Sequence, residues 1–209
     1  NAFNSNGFSV GTNGTNDGGF NHTSYDYTSW TFRKAKGFFD VVTFTQASGT
    51  PTNQRISHNL GSAPGMILMK CTSSTRDWFC YHRSLGKDKY FKLNDIGAAA
   101  TASNGWGTAE PDASEFGFNA DEFGTSTGDT FVAYLFAHDV QSFGEGGDQS
   151  IIKCGGFNKS SGSDVDVDLG WEPQFVFTTM YGGPSGRGLV DNKRGLFHTE
   201  NCKFLKAHG

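Results

Sequence analysis

A short formula that occurs twice in the chain constrains its fold more than any other feature. Residues 58–70 read HNLGSAPGMILMK, and residues 167–179 read VDLGWEPQFVFTT. Both contain Leu-Gly, two variable residues, Pro and then an apolar run. Glycine permits a positive φ, whereas proline fixes its own φ and favours an extended conformation in the residue before it. The formula therefore predicts a tight corner that leads the chain into a buried strand, and it carries no chemistry of its own.

Further matches indicate a repeat of about 105 residues. The two formulas lie 109 residues apart, and YTSWTFRKA (27–35) matches FVAYLFAHD (131–139) at an offset of 104. GFSVGTN (7–13) resembles EFGFNAD (115–121), and KYFKLND (89–95) resembles CKFLKAHG (202–209) more faintly. The offsets drift because loops absorb insertions.

The repeat predicts three parts of the chain. Residues 1–36 form the C-terminal part of a first β repeat, 37–140 form a complete repeat, and 141–209 form the N-terminal part of a further, divergent repeat. Because the chain opens on Asn1 rather than Met, we expect a segment of a longer polypeptide or a processed product. A chain whose first and last parts jointly complete a domain would show the same pattern.

The residue types favour strands over helices. The sequence contains 20 Phe and 29 Gly. Aromatic side chains fill strand faces, and Gly, Asn, Ser, Thr and Asp form turns. Short alternating stretches such as 38–45 and 54–60 are typical of strands, while the continuous apolar run 65–71 predicts a strand covered on both faces. We therefore predict an all-β chain of tandem β-sandwich or jelly-roll-like units.

Charge and hydropathy argue against two classes of partner. The net charge of −4 gives no basic surface for nucleic acid. No apolar run approaches the roughly 18 residues of a membrane helix, so we expect no membrane insertion. The four cysteines form no Cys-x-x-Cys pair, and we interpret them as structural thiols, with a disulfide or a reactive thiol as alternatives.

Catalytic and metal-binding motifs do not emerge from the sequence. SDVDVDLG (163–170) resembles the start of an EF-hand loop but lacks the required Gly and Glu, so we interpret it as a strand with Val165 and Val167 facing inward. His58 is expected on an inward strand face beside Ile56 and Leu60. YHRS (81–84) is the most polar strand end. We predict no catalytic residue, no metal site, no cofactor and no enzymatic activity.

Two aromatic residues lie in Gly-rich loops and are the candidates for ligand binding. Trp106 lies in SNGWGTAEP, and Tyr181 lies in MYGGPSG. Aromatic rings in exposed loops stack on sugars or anchor protein contacts. The alternative is that each ring folds back over the edge of its own domain.

Four stretches resemble a domain of unknown function in virion proteins of tailed phages, especially marine cyanophages: WTFRKAKGFFDVVTFT (30–45), ISHNLGSAPGMILMK (56–70), DWFCYHRSLGKDKYFKLND (77–95) and TGDTFVAYLFAHD (127–139). The middle unit carries the whole pattern, and residues 1–36 match its C-terminal part. Residues 141–209 follow it loosely.

This resemblance implies a non-enzymatic structural protein of the virion, located in a tail fibre or fibre-like appendage that contributes to host attachment. The expected partners are other phage structural proteins, a glycan or envelope protein of the host surface, and further copies of the chain, with a trimer as the first arrangement to test. A head decoration or head-fibre protein, a lectin-like carbohydrate-binding module and a polysaccharide depolymerase are the alternatives.

Overall fold

The regular secondary structure of the residues that the structure describes is almost entirely β, which confirms the predicted all-β class. The computed structural model describes residues 2–11, 27, 29–49, 51–158, 162, 164–183, 187–192 and 205–206. The chain divides into two compact units, Asn1–Phe32 and Arg33–Gly209. The predicted repeat boundaries at 36 and 140 stay predictions.

The first unit contains a short hairpin. Strands β1 (Ala2–Asn4) and β2 (Gly7–Ser9) pair antiparallel, with Phe3 opposite Phe8. Both rings are exposed, Phe3 at 95% and Phe8 at 49%. A two-stranded hairpin is marginally stable alone in water, so this hairpin does not bury its own apolar side chains.

The second unit contains a six-stranded antiparallel sheet, a two-stranded ribbon and a three-stranded sheet. Their orders are β3-β10-β5-β6-β7-β8, β4-β9 and β11-β12-β13. The elements are β3 (Phe39–Thr45), β4 (Gln54–Ser57), β5 (Met66–Cys71), β6 (Trp78–His82), β7 (Lys89–Lys92), β8 (Ala100–Thr101), β9 (Glu115–Phe118), α1 (Ala120–Phe123), β10 (Thr130–Phe136), β11 (Phe175–Thr179), β12 (Arg187–Asp191) and β13 (Leu205–Lys206).

The core lies between one face of the six-stranded sheet and the β4–β9 ribbon. Alternate residues of β5 and β10 are buried, as the period of a strand requires. Phe118 of the ribbon contacts Phe44 of β3 and Phe131 of β10, with ring centroids 5.2 and 5.1 Å apart. The part of the second unit formed by residues 37–140, which we call the central domain, is therefore sandwich-like. Because Met66 and Leu68 on the other face of β5 are only half-buried, the expectation that this strand is covered on both faces is wrong.

The repeated Leu-Gly-x-x-Pro formula forms the predicted corner at both sites. Gly61 has a φ of 77° and Gly170 a φ of 74°, which lie in the left-handed region that glycine adopts readily. Strands β5 and β11 each begin two residues after the proline. The strand after the corner is buried only in the first copy, because Phe175 of β11 is 42% exposed.

Two glycine backbones meet where the ribbon passes the loop that carries Trp106. Gly117 of β9 donates its N–H to the Trp106 carbonyl at 3.0 Å. A Cβ built on Gly117 would overlap the Cα of Gly107. This close approach requires glycine at position 117 and holds the loop against the ribbon.

Gly117→Ala should therefore destabilise the central domain. We expect the free energy of unfolding to fall by about 3 kcal/mol, because the new methyl group meets backbone that cannot rotate away. Gly155→Ala is the matched control, since nothing lies within 4 Å of its Cβ position, and it should change the free energy by less than about 0.5 kcal/mol. Denaturant unfolding monitored by Trp fluorescence measures both, and equal midpoints would contradict the prediction.

Candidate functional site

Trp106, one of the two candidate ligand-binding residues, is buried in the core. It is 0% exposed, its Nε1 donates to the Lys89 carbonyl at 3.0 Å, and its ring contacts Phe123 at 5.1 Å between centroids. The expectation that this loop residue is exposed is wrong. The alternative, in which the ring folds back over its own domain, is confirmed for Trp106, because the backbone contact at Gly107 turns the loop inward.

Tyr181, the other candidate, lies at the surface. It is 38% exposed, and the neighbouring Met180 is 52% exposed. Its carbonyl accepts a hydrogen bond from the Ala99 N–H at 3.0 Å, which fixes the loop. The structure therefore buries Trp106 and exposes Tyr181, and it does not bring them together in one site. A ligand-binding role for Tyr181 stays a prediction.

His58 occupies the inward strand position that the sequence indicates. It is 6% exposed. Its Nδ1 accepts the Leu60 N–H at 3.2 Å, and its Nε2 lies 3.1 Å from the Asp112 carbonyl, to which it donates. Burial lowers the pKa of the His58 ring. Both nitrogens are satisfied, so His58 is a core histidine.

Antiparallel strand order brings several polar side chains to one edge of the central sheet. Phe136 of β10 lies opposite Met66 of β5, and Met66 lies opposite His82 of β6. The residues that follow Phe136 and His82, and those that precede Met66, therefore lie close together at this edge of the sheet. We call the resulting group the strand-end cluster, and it comprises His82, Arg83, His138, Lys153 and Cys154.

Two hydrogen-bond donors face the ring of His138 in this cluster, but a neutral ring can accept from only one of them. The Cys154 N–H donates to Nδ1 at 3.0 Å, and an Arg83 Nη1 lies 2.9 Å from Nε2. A neutral imidazole offers only one acceptor nitrogen, while its other nitrogen carries a proton. Two groups that only donate therefore face a ring with one acceptor. The arrangement suits an additional acceptor, such as a carboxylate or another anionic oxygen, beside the exposed Arg83.

Burial and nearby positive charge both favour the neutral form of the histidines in this cluster. Burial, and after it the Arg83 guanidinium, lowers the pKa of both His82 and His138. The carboxylate of Asp139 acts in the opposite direction on His138, and it pairs with Lys153 at 3.5 Å. Neutral imidazoles donate a hydrogen bond without adding charge, so Arg83 supplies the positive charge at the exposed side of the cluster.

Cys154 is a structural member of the cluster. It is 9% exposed, and its Sγ donates to the Ala137 carbonyl at 3.5 Å. Burial raises the pKa of the thiol to about 12, so the thiolate that a nucleophile needs is not formed near neutral pH. Cys71 and Cys80 are also free and buried, which agrees with the interpretation of these cysteines as structural thiols, while Cys202 lies outside the described residues.

The strand predicted for the SDVDVDLG stretch is wrong for the described residues. Residues 164–169 have no regular secondary structure, and Val165 and Val167 are 37% and 50% exposed. Nothing in the described structure pairs with them in the way that β9 pairs with β4. Among the same residues, no group of three or more His, Cys, Asp or Glu could hold a metal ion, and no helix has the length and apolar character to cross a membrane.

Sequence reasoning found part of the strand-end cluster and missed the rest. The sequence indicates YHRS (81–84) as a polar strand end, but it does not connect His138 or Cys154 with that end. The available signal was that both His82 and His138 lie at or just beyond the end of an apolar strand. Connecting them required the order β10-β5-β6, which periodicity does not supply.

The lowered histidine pKa values predict a dependence of stability on pH. An unfolded histidine titrates near 6.5, and in the folded chain His58, His82 and His138 titrate lower. Between these values the unfolded state binds more protons, so their contribution to stability is present above about pH 6.5 and is lost as the pH falls. Solvent screening reduces the contribution of His138 to this dependence of stability on pH.

We therefore expect the free energy of unfolding to fall between pH 7 and pH 5, because the unfolded chain takes up protons at these histidines that the folded chain does not. The His82→Gln/His138→Gln double variant should show a shallower slope, measured by denaturant unfolding at each pH. Asp40 and Asp112, whose pKa values are lowered, lose their contribution only below about pH 4 and do not set this window. A wild-type slope of zero would contradict the assignment of neutral, buried histidines.

Comparison with known proteins gives a family but no characterised relative. No curated protein and no solved structure matches the chain. A family model matches residues 1–207, which include both the hairpin unit and the central domain. The chain therefore belongs to the family described as domain of unknown function DUF7483.

Proposed function

We propose that the chain is a non-enzymatic structural protein of a bacteriophage virion, in a tail fibre or fibre-like appendage that contributes to host attachment. The proposal places it among other phage structural proteins in the particle and includes no cofactor and no catalytic step. It rests chiefly on the resemblance carried by the four stretches named above. A head decoration or head-fibre location is the alternative within the same particle.

The position of these stretches in the fold supports the proposal. They contain β3, β6, β7 and β10 and all but the last residue of β5, which together form five of the six strands of the central sheet. The resemblance therefore covers the residues that build the domain rather than a loop or a short motif. A sheet with a closely packed aromatic core deforms little, which suits a building block of an extended appendage.

The decisive experiment for the virion role is the protein content of the particle. Mass spectrometry of purified particles of the source phage should detect this chain at stoichiometric levels. Immunogold labelling with an antibody against residues 37–140 should mark the tail or its appendages. Label on the head would favour the head-fibre alternative, and absence of the chain from purified particles would contradict both.

Host attachment through a surface glycan is the more detailed part of the proposal. Exposed Tyr181 offers a ring for stacking, and the surplus donor beside Arg83 offers a partner for a carboxylated sugar. The two sites differ in what they recognise, so variants can separate them.

If Tyr181 stacks on a sugar, Tyr181→Ala should weaken binding to host envelope glycans by about tenfold, the value expected for one stacked ring. Tyr181→Phe is the matched control, because it keeps the ring and should bind nearly as well. Arg83→Gln should reduce only the binding of acidic glycans. Binding of the wild-type chain to no glycan of the host envelope would contradict the glycan part and leave the virion location to its own test.

A further inference from the structure

A cavity of about 280 Å³ lies at the end of the β11–β12 hairpin where β11 begins and β12 ends. Its walls combine carboxylate, amide and apolar side chains. The lining includes Glu172, Gln174, Phe175, Val190, Asp191 and Asn192. Because small-molecule pockets begin at about 300 Å³, the cavity suits a small ligand such as a single sugar ring.

The β11–β12 hairpin has the same backbone register as the β5–β6 hairpin of the central domain. Met66 pairs with His82, and Phe175 pairs with Asp191, 109 residues further along on both strands. The same offset holds for each of the other four residue pairs of this hairpin. Each position at the cavity therefore has a defined counterpart in the central domain.

A shared hydrogen bond at the strand ends identifies the counterpart of the cavity. In the central domain the Arg83 N–H donates to the Gly65 carbonyl at 3.0 Å, and in the second hairpin the Asn192 N–H donates to the Gln174 carbonyl at 3.1 Å. Both residues of the second bond lie 109 positions after those of the first. The cavity therefore occupies the place that the strand-end cluster has in the central domain.

The chain itself fills this place in the central domain. A Cβ built on Gly65 would lie 2.6 Å from the Cys154 Cβ and 2.9 Å from the His138 Cβ, so this close packing requires glycine. The counterpart of Gly65 is Gln174, whose side chain would overlap a segment packed in the same way. The closure of the central domain is therefore not available at the β11–β12 hairpin, and a cavity lies where Cys154 is buried in the other copy.

The two hairpin ends also carry opposite charge. The central domain exposes the Arg83 guanidinium at this end. In the second hairpin Asn192 is the counterpart of Arg83, Asp191 is the counterpart of His82, and Glu172 adds a further carboxylate to the cavity wall. Among the described residues that line the cavity none is cationic, so the cavity disfavours an anionic ligand.

The polar groups of the cavity suit a ligand with several hydroxyl groups. The carboxylates of Glu172 and Asp191 accept hydrogen bonds, whereas the amides of Gln174 and Asn192 both donate and accept. The Gln174 Nε2 donates to the Glu172 carbonyl at 2.9 Å, which orients this amide at the cavity. Because each hydroxyl group also donates and accepts, a polyhydroxylated ligand matches this mixed set of side chains.

The apolar part of the lining suits the face of a sugar ring. Phe175 is 42% exposed and Val190 is 5% exposed, so the aromatic ring is accessible and rests on a strand whose partner is buried. A pyranose presents C–H groups on its ring face and hydroxyl groups around its rim. Apolar walls with a few placed polar groups are the general pattern of small-molecule sites.

We propose that this cavity binds a neutral sugar ring, with the ring face on Phe175 and the hydroxyl groups on the carboxylate and amide side chains of the walls. The site is separate from Tyr181, which follows the opposite end of β11, and from the strand-end cluster, where Arg83 suits an acidic sugar. The proposal names a sugar class for glycan attachment, and its biological role rests on the proposed function.

An NMR titration of the ¹⁵N-labelled full chain with D-glucose, D-galactose and D-mannose tests the proposal. At least one of these sugars should shift the amide signals of residues 174–176 and 190–192, while those of residues 81–84 stay unchanged. The uronic acid of the sugar that binds is the matched ligand, because it differs only in its carboxylate. We expect it to bind at least about fivefold more weakly, since the cavity wall is itself negatively charged.

Three variants assign the binding to the cavity. Phe175→Leu should weaken binding about fivefold, because it removes the ring and keeps an apolar side chain. Glu172→Gln should narrow the difference between the sugar and its uronic acid, because it removes a negative charge. Thr178→Ala, at an exposed position of the same strand outside the cavity, should bind like the wild type. Retained amide signals of Phe177 and Leu189, which lie opposite each other, would show that the hairpin remains folded.

Three results would overturn the proposal. They are the absence of shifts at the cavity residues with all three hexoses, a folded Phe175→Leu chain that binds like the wild type, and a uronic acid that binds as tightly as its parent sugar. The titration uses isolated protein, so its result is independent of whether the chain is found in virions. Absence of the chain from purified particles would contradict the virion role and leave the measured sugar binding unchanged.

Discussion

The insertion of β10 between β3 and β5 is the interaction on which the central domain depends. Strand β10 pairs with β3 over Thr130–Phe136 and with β5 over Phe131–Phe136, so it joins segments that are far apart in sequence. The entropy lost in closing these long loops must be offset by burial. Phe131, Ala133 and Leu135 provide this burial, since each is at most 1% exposed. The core, the covering ribbon and the polar edge of the sheet all take their positions from this strand.

The strand-end cluster follows from the same arrangement. In the antiparallel order β10-β5-β6, the ends of β10 and β6 and the start of β5 lie at the same edge of the sheet. His138 and Arg83 therefore meet at this edge although they belong to different strands. The segment after β10 then returns over the edge, where the Asp139 N–H donates to the Ile152 carbonyl at 2.8 Å and Cys154 becomes buried. Polar side chains such as Arg83 and His138 thus lie together at one end of the sheet.

Much of the central domain could be predicted from the sequence, because local pattern determines it. Alternation placed His58 on an inward face beside Ile56 and Leu60, and the structure buries all three. Gly61 and Gly170 adopt the positive φ that the repeated formula requires. The burial of Trp106 could not be predicted in this way. Its Gly-rich surroundings resemble an exposed loop, and the ring turns inward because Gly107 meets the backbone of Gly117 on another strand.

Strands β5 and β11 show where local pattern stops determining burial. Both follow the same corner and pair with the next strand in the same register, yet Ile67 is 0% exposed whereas its counterpart Val176 is half-buried. The two strands differ in their neighbours. β5 lies between β6 and β10 and is covered by the β4–β9 ribbon, whereas β11 pairs only with β12 among the residues that the structure describes. Burial is thus a property of the completed sheet. A strand can carry a core-like pattern, adopt the same register as its counterpart and still leave apolar side chains partly exposed, as β11 does.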